Sequence, residues 1–277
     1  MSLAAKLPYD HPYAGGYPGI GSQPLPTDAD AIDYLTRVAS ADGAGVEVGV
    51  ATAVDAFFRD AKESGVFSAL KACCILAGAR TLAGALVPVV GDAPTNVADG
   101  FVEGDFSRTA GLTGDGATTY LDSGRANDDD LQNDQHMAVW ITSLPTLTSA
   151  IMGSRIGPTE TGSSQLIYRT DPSLTFRIHS ATETLTGSAS VGFFAASRNA
   201  SDETLARNGG TEFDSSAASQ SPNSENVHVF QRSGSSSNAP TDATIAFYSI
   251  GTDIGSAGLA ALEAAVDNLI SAIGEAL

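Results

Sequence analysis

Between Asn96 and Ser249 the chain is written in short runs of Val, Ile, Phe, Tyr and Thr, each closed within a few residues by Gly, Asn, Ser or Asp. Such runs are too short for stable helices and suit a pleated strand, while the bounding residues accept the backbone conformations of tight turns. Strands are predicted over 101–106, 118–122, 136–142, 151–155, 164–169, 174–179, 190–197, 204–207, 227–231 and 244–249. Short strands with regular turn signals predict an antiparallel sandwich or jelly roll. Residues 191–212 are the clearest case: an apolar run, a polar break at Asn199-Ala200-Ser201-Asp202, a second run, then Asn208-Gly209-Gly210. Asn-Gly and Gly-Gly tolerate the positive φ of a hairpin turn, so this stretch reads as a hairpin.

Helical periodicity flanks the β region. Thr27-Asp28-Ala29-Asp30 supplies an N-cap at Thr27 or Asp28, followed by an apolar face of Ile32, Leu35 and Val38. A second helix is predicted over 46–63, where Val46, Val50, Val54, Phe57, Phe58 and Ala61 recur at three- and four-residue steps. Residues 66–90 are apolar but broken by Gly78, Gly84 and Pro88, which predicts a short helix and then a connector or edge strand. A closing amphipathic helix is predicted over 258–274. Residues 1–26 hold five prolines and Tyr9, Tyr13 and Tyr17, the composition of an extended arm. The expected organisation is an N-terminal arm over 1–26, a helical anchoring segment and connector over 27–95, and the sandwich with its C-terminal helix over 96–277.

Charge narrows the partners. Asp and Glu number 32 against 14 Lys and Arg, which disfavours nucleic acid and anionic membrane surfaces. No window approaches eighteen uninterrupted apolar residues and the start lacks a signal-peptide pattern, so no membrane insertion and synthesis in a cytoplasm are expected. The only cysteines, Cys73 and Cys74, are adjacent and offer no disulfide framework.

Several pieces then fall in a familiar order. Gly111-Leu112-Thr113-Gly114-Asp115-Gly116, continuing to Leu121, resembles the opening signature of concanavalin A-like, laminin-G-type jelly rolls. His136-Met137-Ala138-Val139-Trp140-Ile141 looks like the second strand with its core Trp. The stretches 151–155, 205–209 with its Asn-Gly, and 246–250 before an Ala- and Leu-rich helix resemble later elements. Within that superfamily, Leu82-Ala83-Gly84-Ala85-Leu86-Val87-Pro88, Ala93-Pro94-Thr95-Asn96, Gly192-Phe193-Phe194 with Ser197-Arg198, and Arg207-Asn208-Gly209 look like virion-associated proteins of tailed bacteriophages. The resemblance implies a mainly β concanavalin A-like jelly roll, a place in a virion, and a chain that associates with itself and with other virion proteins. Trp140 is expected in the core.

The search for chemistry yields little. Glycoside hydrolysis, often hosted by this fold, needs two facing carboxylates; Glu160 and Glu183 stand singly in Thr-rich segments and read as solvated. His11, His136, His179 and His228 form no metal-binding helix motif, and neither a nucleophile elbow nor a phosphate loop is present. The densest acidic cluster, Asp128, Asp129 and Asp130 with Asp134, is the one candidate metal site, for calcium at a sheet rim. No other cofactor is expected. Partner contacts are expected through Tyr9, Tyr13 and Tyr17 of the arm and through Phe57 and Phe58 of the second helix, unless those rings simply cover the sandwich. The Ser-rich loop 233–238 and the polar stretch 215–226 suit either glycan contact or free variation. The functional expectation is a non-enzymatic structural component of a phage particle, with a host-glycan-binding adhesin as its alternative and a glycan hydrolase as a distant third.

Overall fold

The computed structural model describes residues 25–97, 100–157, 161–234 and 238–277. Its helices are α1 (Ala29–Asp42), α2 (Val48–Glu63), the single turn α3 (Leu82–Ala85) and α4 (Gly255–Ala276). The strands are β1 (Leu70–Ile75), β2 (Pro88–Val90), β3 (Thr95–Asn96), β4 (Phe106–Ser107), β5 (Gly111–Thr113), β6 (Leu121–Ala126), β7 (Gln135–Ser143) and β8 (Ser149–Ser154). They continue with β9 (Ser164–Arg169), β10 (Ser173–Arg177), β11 (Thr184–Ser188), β12 (Gly192–Ala200), β13 (Glu203–Asn208), β14 (Thr211–Ser215), β15 (Asn226–Val229) and β16 (Thr244–Gly251).

Two antiparallel sheets make a jelly-roll-like sandwich, as the short punctuated runs predict. The first, sheet A, runs β14-β13-β12-β7-β16-β1-β2, with β5 and β4 attached at β16; the second, sheet B, runs β11-β10-β9-β8-β15-β6-β3. Side chains alternate across a strand, so each strand of sheet A feeds two cores. Met137, Val139, Ile141, Phe194, Ala196, Ile245 and Tyr248 pack toward sheet B. Ala138, Phe193, Ala195 and Phe247 pack the other way, against Leu35, Val54, Phe57, Leu262, Val266 and Leu269 of the helices. The molecule is thus three layers, helices on sheet A on sheet B. The helical layer covers one outer face of the sandwich, and no helix packs against the outer face of sheet B among the described residues.

Local signals explain the helix ends. The Asp28 carboxylate accepts hydrogen bonds from the Asp30 and Ala31 amides, the N-cap that the sequence predicts. α4 is long and apolar enough to cross a membrane by length and composition. Its Leu259, Leu262, Val266, Leu269 and Ile273, however, are buried in the core shared with α2 and sheet A.

The structure differs from expectation in places. Residues 66–90, read as a short helix and a connector or edge strand, supply β1, an interior strand between β16 and β2. The segment expected to precede the sandwich therefore builds part of it. No strand spans 101–106: the Asp105 carboxylate accepts the Val102 amide at 2.9 Å and folds Glu103–Asp105 into a 3-10 turn. The outer strands β11 and β14 went unread because their Thr- and Ser-rich, largely exposed sequences need no apolar alternation.

Candidate functional site

The face of sheet B that no helix covers carries a row of polar residues in direct register, partly exposed at Asp122 and His228 and buried at Gly153, Gln165 and Arg177. Asp122 on β6 pairs with His228 on β15, His228 with Gly153 on β8, Gly153 with Gln165 on β9, and Gln165 with Arg177 on β10. Their strand neighbours Leu121, Val227, Val229, Leu166 and Phe176 fill the inter-sheet core, so alternation turns the row outward. Five strands at the usual spacing give the row a span of about 19 Å.

At one end of the row sits an aromatic and acid group. The Tyr120 ring stacks on His228 with centroids 4.7 Å apart, and Asn226 donates to Asp122 at 3.0 Å. The Gln231 amide lies 3.1 Å from His228 Nδ1, so as donor it leaves the ring proton on Nε2, 3.8 Å from Asp122. Burial lowers the His228 pKa against the opposing pull of Asp122, which keeps the ring neutral at neutral pH.

Guanidinium groups gather at the other end. Gly153 has no side chain, and Arg232, bridged to it, reaches Gln165 Oε1 at 2.9 Å. Arg177 donates to Glu183 at 3.0 Å and to the Ala181 carbonyl at 2.9 Å, and Arg169 also pairs with Glu183. Glu183, read from sequence as solvated, is instead the half-buried counter-ion of two arginines. Gln165 and Thr175 are buried, yet Gln165 Nε2 and Thr175 Oγ1 have no hydrogen-bond partner. Buried polar atoms are nearly always paired in folded proteins, so two unpaired ones on neighbouring strands of one face mark a place made for something polar. Such a face donates to and accepts from hydroxyls, and its arginine end suits a carboxylate.

The residues singled out from sequence are placed as follows. Asp128 is exposed; Asp129 accepts the Ala126 amide at 3.0 Å; Asp130 is buried and held by Arg125; and Asp134 accepts the Asp253 amide at 2.7 Å. Each ordered carboxylate serves a different local partner, and no group of three or more His, Cys, Asp or Glu side chains suited to a metal ion occurs among the described residues. The calcium expectation is corrected accordingly. Phe57 and Phe58 are 1% exposed and pack within the helix–sheet core, so they cover the sandwich rather than meet a partner. Tyr9, Tyr13, Tyr17 and His11 lie outside the described residues, as does Glu160. His136 and His179 are buried with both ring nitrogens at hydrogen-bonding distance from partners. Trp140 corrects another expectation: it points to the helix side of sheet A and is only partly buried.

Sequence reading missed Asp122, Gln165, Thr175, Arg177 and Arg232. The available signal was polar residues alternating with apolar ones, as in Ser164-Gln165-Leu166-Ile167-Tyr168-Arg169, but the register that aligns five strands is not written locally.

No known family profile and no curated protein matches the chain. Solved structures do. They are matched as folds, to a chain that is a two-sheet antiparallel β-sandwich. Trypanosoma rangeli sialidase in complex with sialic acid is 16% identical over 50% of this chain and 24% of that one, with a TM-score of 0.38. The same sialidase with 2,3-difluoro-KDN is 12% identical over 80% of this chain and 40% of its own, with a TM-score of 0.44. Ruminococcus gnavus IT-sialidase CBM40 bound to α2,3-sialyllactose is 12% identical over 48% of this chain and 83% of its own, with a TM-score of 0.37. The chain thus spans 40% or less of the sialidase chains named here, and the likeness is one of fold alone. These neighbours overturn two expectations. They are sialidases and a sialyllactose-bound module, so a non-enzymatic structural part of a phage particle is not kept, nor is the expectation that the chain is no enzyme. The comparisons give the narrower likeness to tailed-phage proteins no support.

Proposed function

We propose that this chain binds glycans on the outer face of sheet B, with an acidic sugar at the arginine end of the row. The observation that carries this reading is the five-strand row Asp122, His228, Gly153, Gln165, Arg177, with buried Gln165 Nε2 left unpaired beside it. An oligosaccharide offers hydroxyls that both donate and accept, which matches carboxylate, imidazole, amide and guanidinium in sequence along one line. Three guanidinium groups, those of Arg169, Arg177 and Arg232, lie on this face, the first two paired with Glu183, and planar guanidinium groups suit a sugar carboxylate. The sugars bound in two of those neighbours, sialic acid and sialyllactose, belong to that class.

The test is titration calorimetry of the whole chain with 3′-sialyllactose and with lactose. Sialyllactose is expected to bind and lactose to bind at least about tenfold more weakly, since a lost charged hydrogen bond is worth roughly 1.5–3 kcal/mol. Gln165→Ala and Arg232→Ala are each expected to weaken sialyllactose. Equal binding of the two sugars, no binding, or parent-like binding by both variants would refute the reading. Release of free sialic acid that is lost in Gln165→Ala would assign hydrolysis to this face.

A further inference from the structure

On the opposite side of the sandwich, a groove of about 630 Å3 opens between α4 and strands β7, β12 and β13. That volume lies inside the range of about 300–1,000 Å3 usual for small-molecule sites. Its wall is Trp140, the only tryptophan in the chain, set beside Phe193. Two features keep the indole from being covered. α4 presents Ala260 and Ala264 to the groove, where larger residues would close it. Gly192, at φ +105°, lies where even a Cβ would come within 3.8 Å of the indole Cη2.

Polar groups stand around the ring. Arg207 donates to Glu263 at 2.5 Å, and the other Glu263 oxygen accepts the Gly210 amide at 2.9 Å, so this pair is held in place by the β13–β14 hairpin. Asp267, one turn further along α4, lines the groove and is exposed. The Thr142 hydroxyl, near the end of β7, donates to the Ala110 carbonyl at 2.7 Å, which leaves it an acceptor toward the groove.

The mixture selects a ligand class. A free cation would meet Arg207, and an anion would meet Glu263 and Asp267. A neutral ring with one apolar face and a rim of hydroxyls satisfies all of them: the apolar face lies on the indole, and the hydroxyls donate to carboxylates and accept from the guanidinium. We infer that this groove is a second saccharide site, taking a neutral hexopyranose against Trp140. It is independent of the row on sheet B, which lies across both sheets from it.

Because Trp140 is the sole tryptophan, its fluorescence reports from the groove alone. The whole chain is titrated into the tens of millimolar with methyl glucopyranoside, methyl mannopyranoside, methyl galactopyranoside and lactose. At least one of these is expected to shift or quench the emission saturably. Ala264→Leu, a substitution at an exposed helix position that fills the groove, is expected to abolish the response. Asp267→Ala is expected to weaken it about tenfold, the usual loss for a hydrogen bond to a charged group. Circular dichroism melts establish that both variants remain folded. The inference is overturned if none of the four sugars changes the emission, or if both variants respond as the parent does. It is also overturned if tetramethylammonium chloride alone gives the saturable response, since that makes the groove a cation site. Calorimetry repeated on Ala264→Leu, whose groove is filled, reads sheet B alone, and the Trp140 signal of Gln165→Ala reads the groove alone, so the two proposals fail separately.

Discussion

Arg198 shows how a single side chain can fix a loop arrangement. It is 1% exposed, and its guanidinium donates to the carbonyls of Ile178, Ala200, Ser201 and Ala217 at 2.7 to 3.2 Å. Burial lowers its pKa, against the smaller pull of Asp202. Four acceptors from three separate chain segments converge on one planar fork, which no lysine can span. Arg198→Met is expected to leave these carbonyls short of donors and cost about 3 kcal/mol, read from the midpoint of urea unfolding. A loss below about 1 kcal/mol would mean that water replaces the guanidinium. The pair Ser197-Arg198 stands out in the sequence, but its meaning does not: two of the four partners that draw this arginine inward lie 20 residues back and 19 ahead.

At the scale of elements, the helices and sheet A stand on one core. Phe57 of α2 meets Phe247 of β16 edge to face at 5.7 Å, and neither is exposed. Phe57→Ala is expected to cost about 3–5 kcal/mol through lost contact and a cavity. In the parent protein and the variant alike, far-ultraviolet circular dichroism and Trp140 fluorescence are expected to melt in one coincident transition. An earlier loss of helix would show that the layers fold apart. Much of this was legible: the i, i+3, i+4 spacing of Val50, Val54, Phe57 and Phe58 gave α2, and the turn residues gave most strands. Less legible was what α2 packs on. After the exposed Lys71, Ala72-Cys73-Cys74-Ile75 has no polar alternation because both its faces are buried, one in each core, and so short an apolar run does not distinguish strand from helix. The row on sheet B was hidden for a related reason: its members come from five strands, and only long-range pairing brings them into line.

For the molecule as a whole, pH reads out burial. His136, His179 and His228 all have pKa values lowered below the ordinary 6.5, chiefly by desolvation. The unfolded chain takes up protons near 6.5 while the folded chain resists them, so the unfolded state binds more protons as the solution is acidified. Stability from these groups is present above pH 6.5 and is lost as pH falls from there through the lowered folded values. Tm is expected to fall between pH 7 and pH 5, and a flat or rising Tm would show that the three rings are charged in the folded protein. Leaving aside the short β5-β4 branch, the two sheets also have four ends where backbone groups stand open to another chain. β14 meets such an approach with exposed Glu212 and Asp214, and β2 with Pro88, whose ring nitrogen has no hydrogen to give. β3 is only two residues long, and Thr184 on β11 is tied to Ser215 on β14 at 2.6 Å, fastening the two outer strands to each other. Each end thus discourages templated growth, so copies of this chain can be crowded together without zipping into fibres.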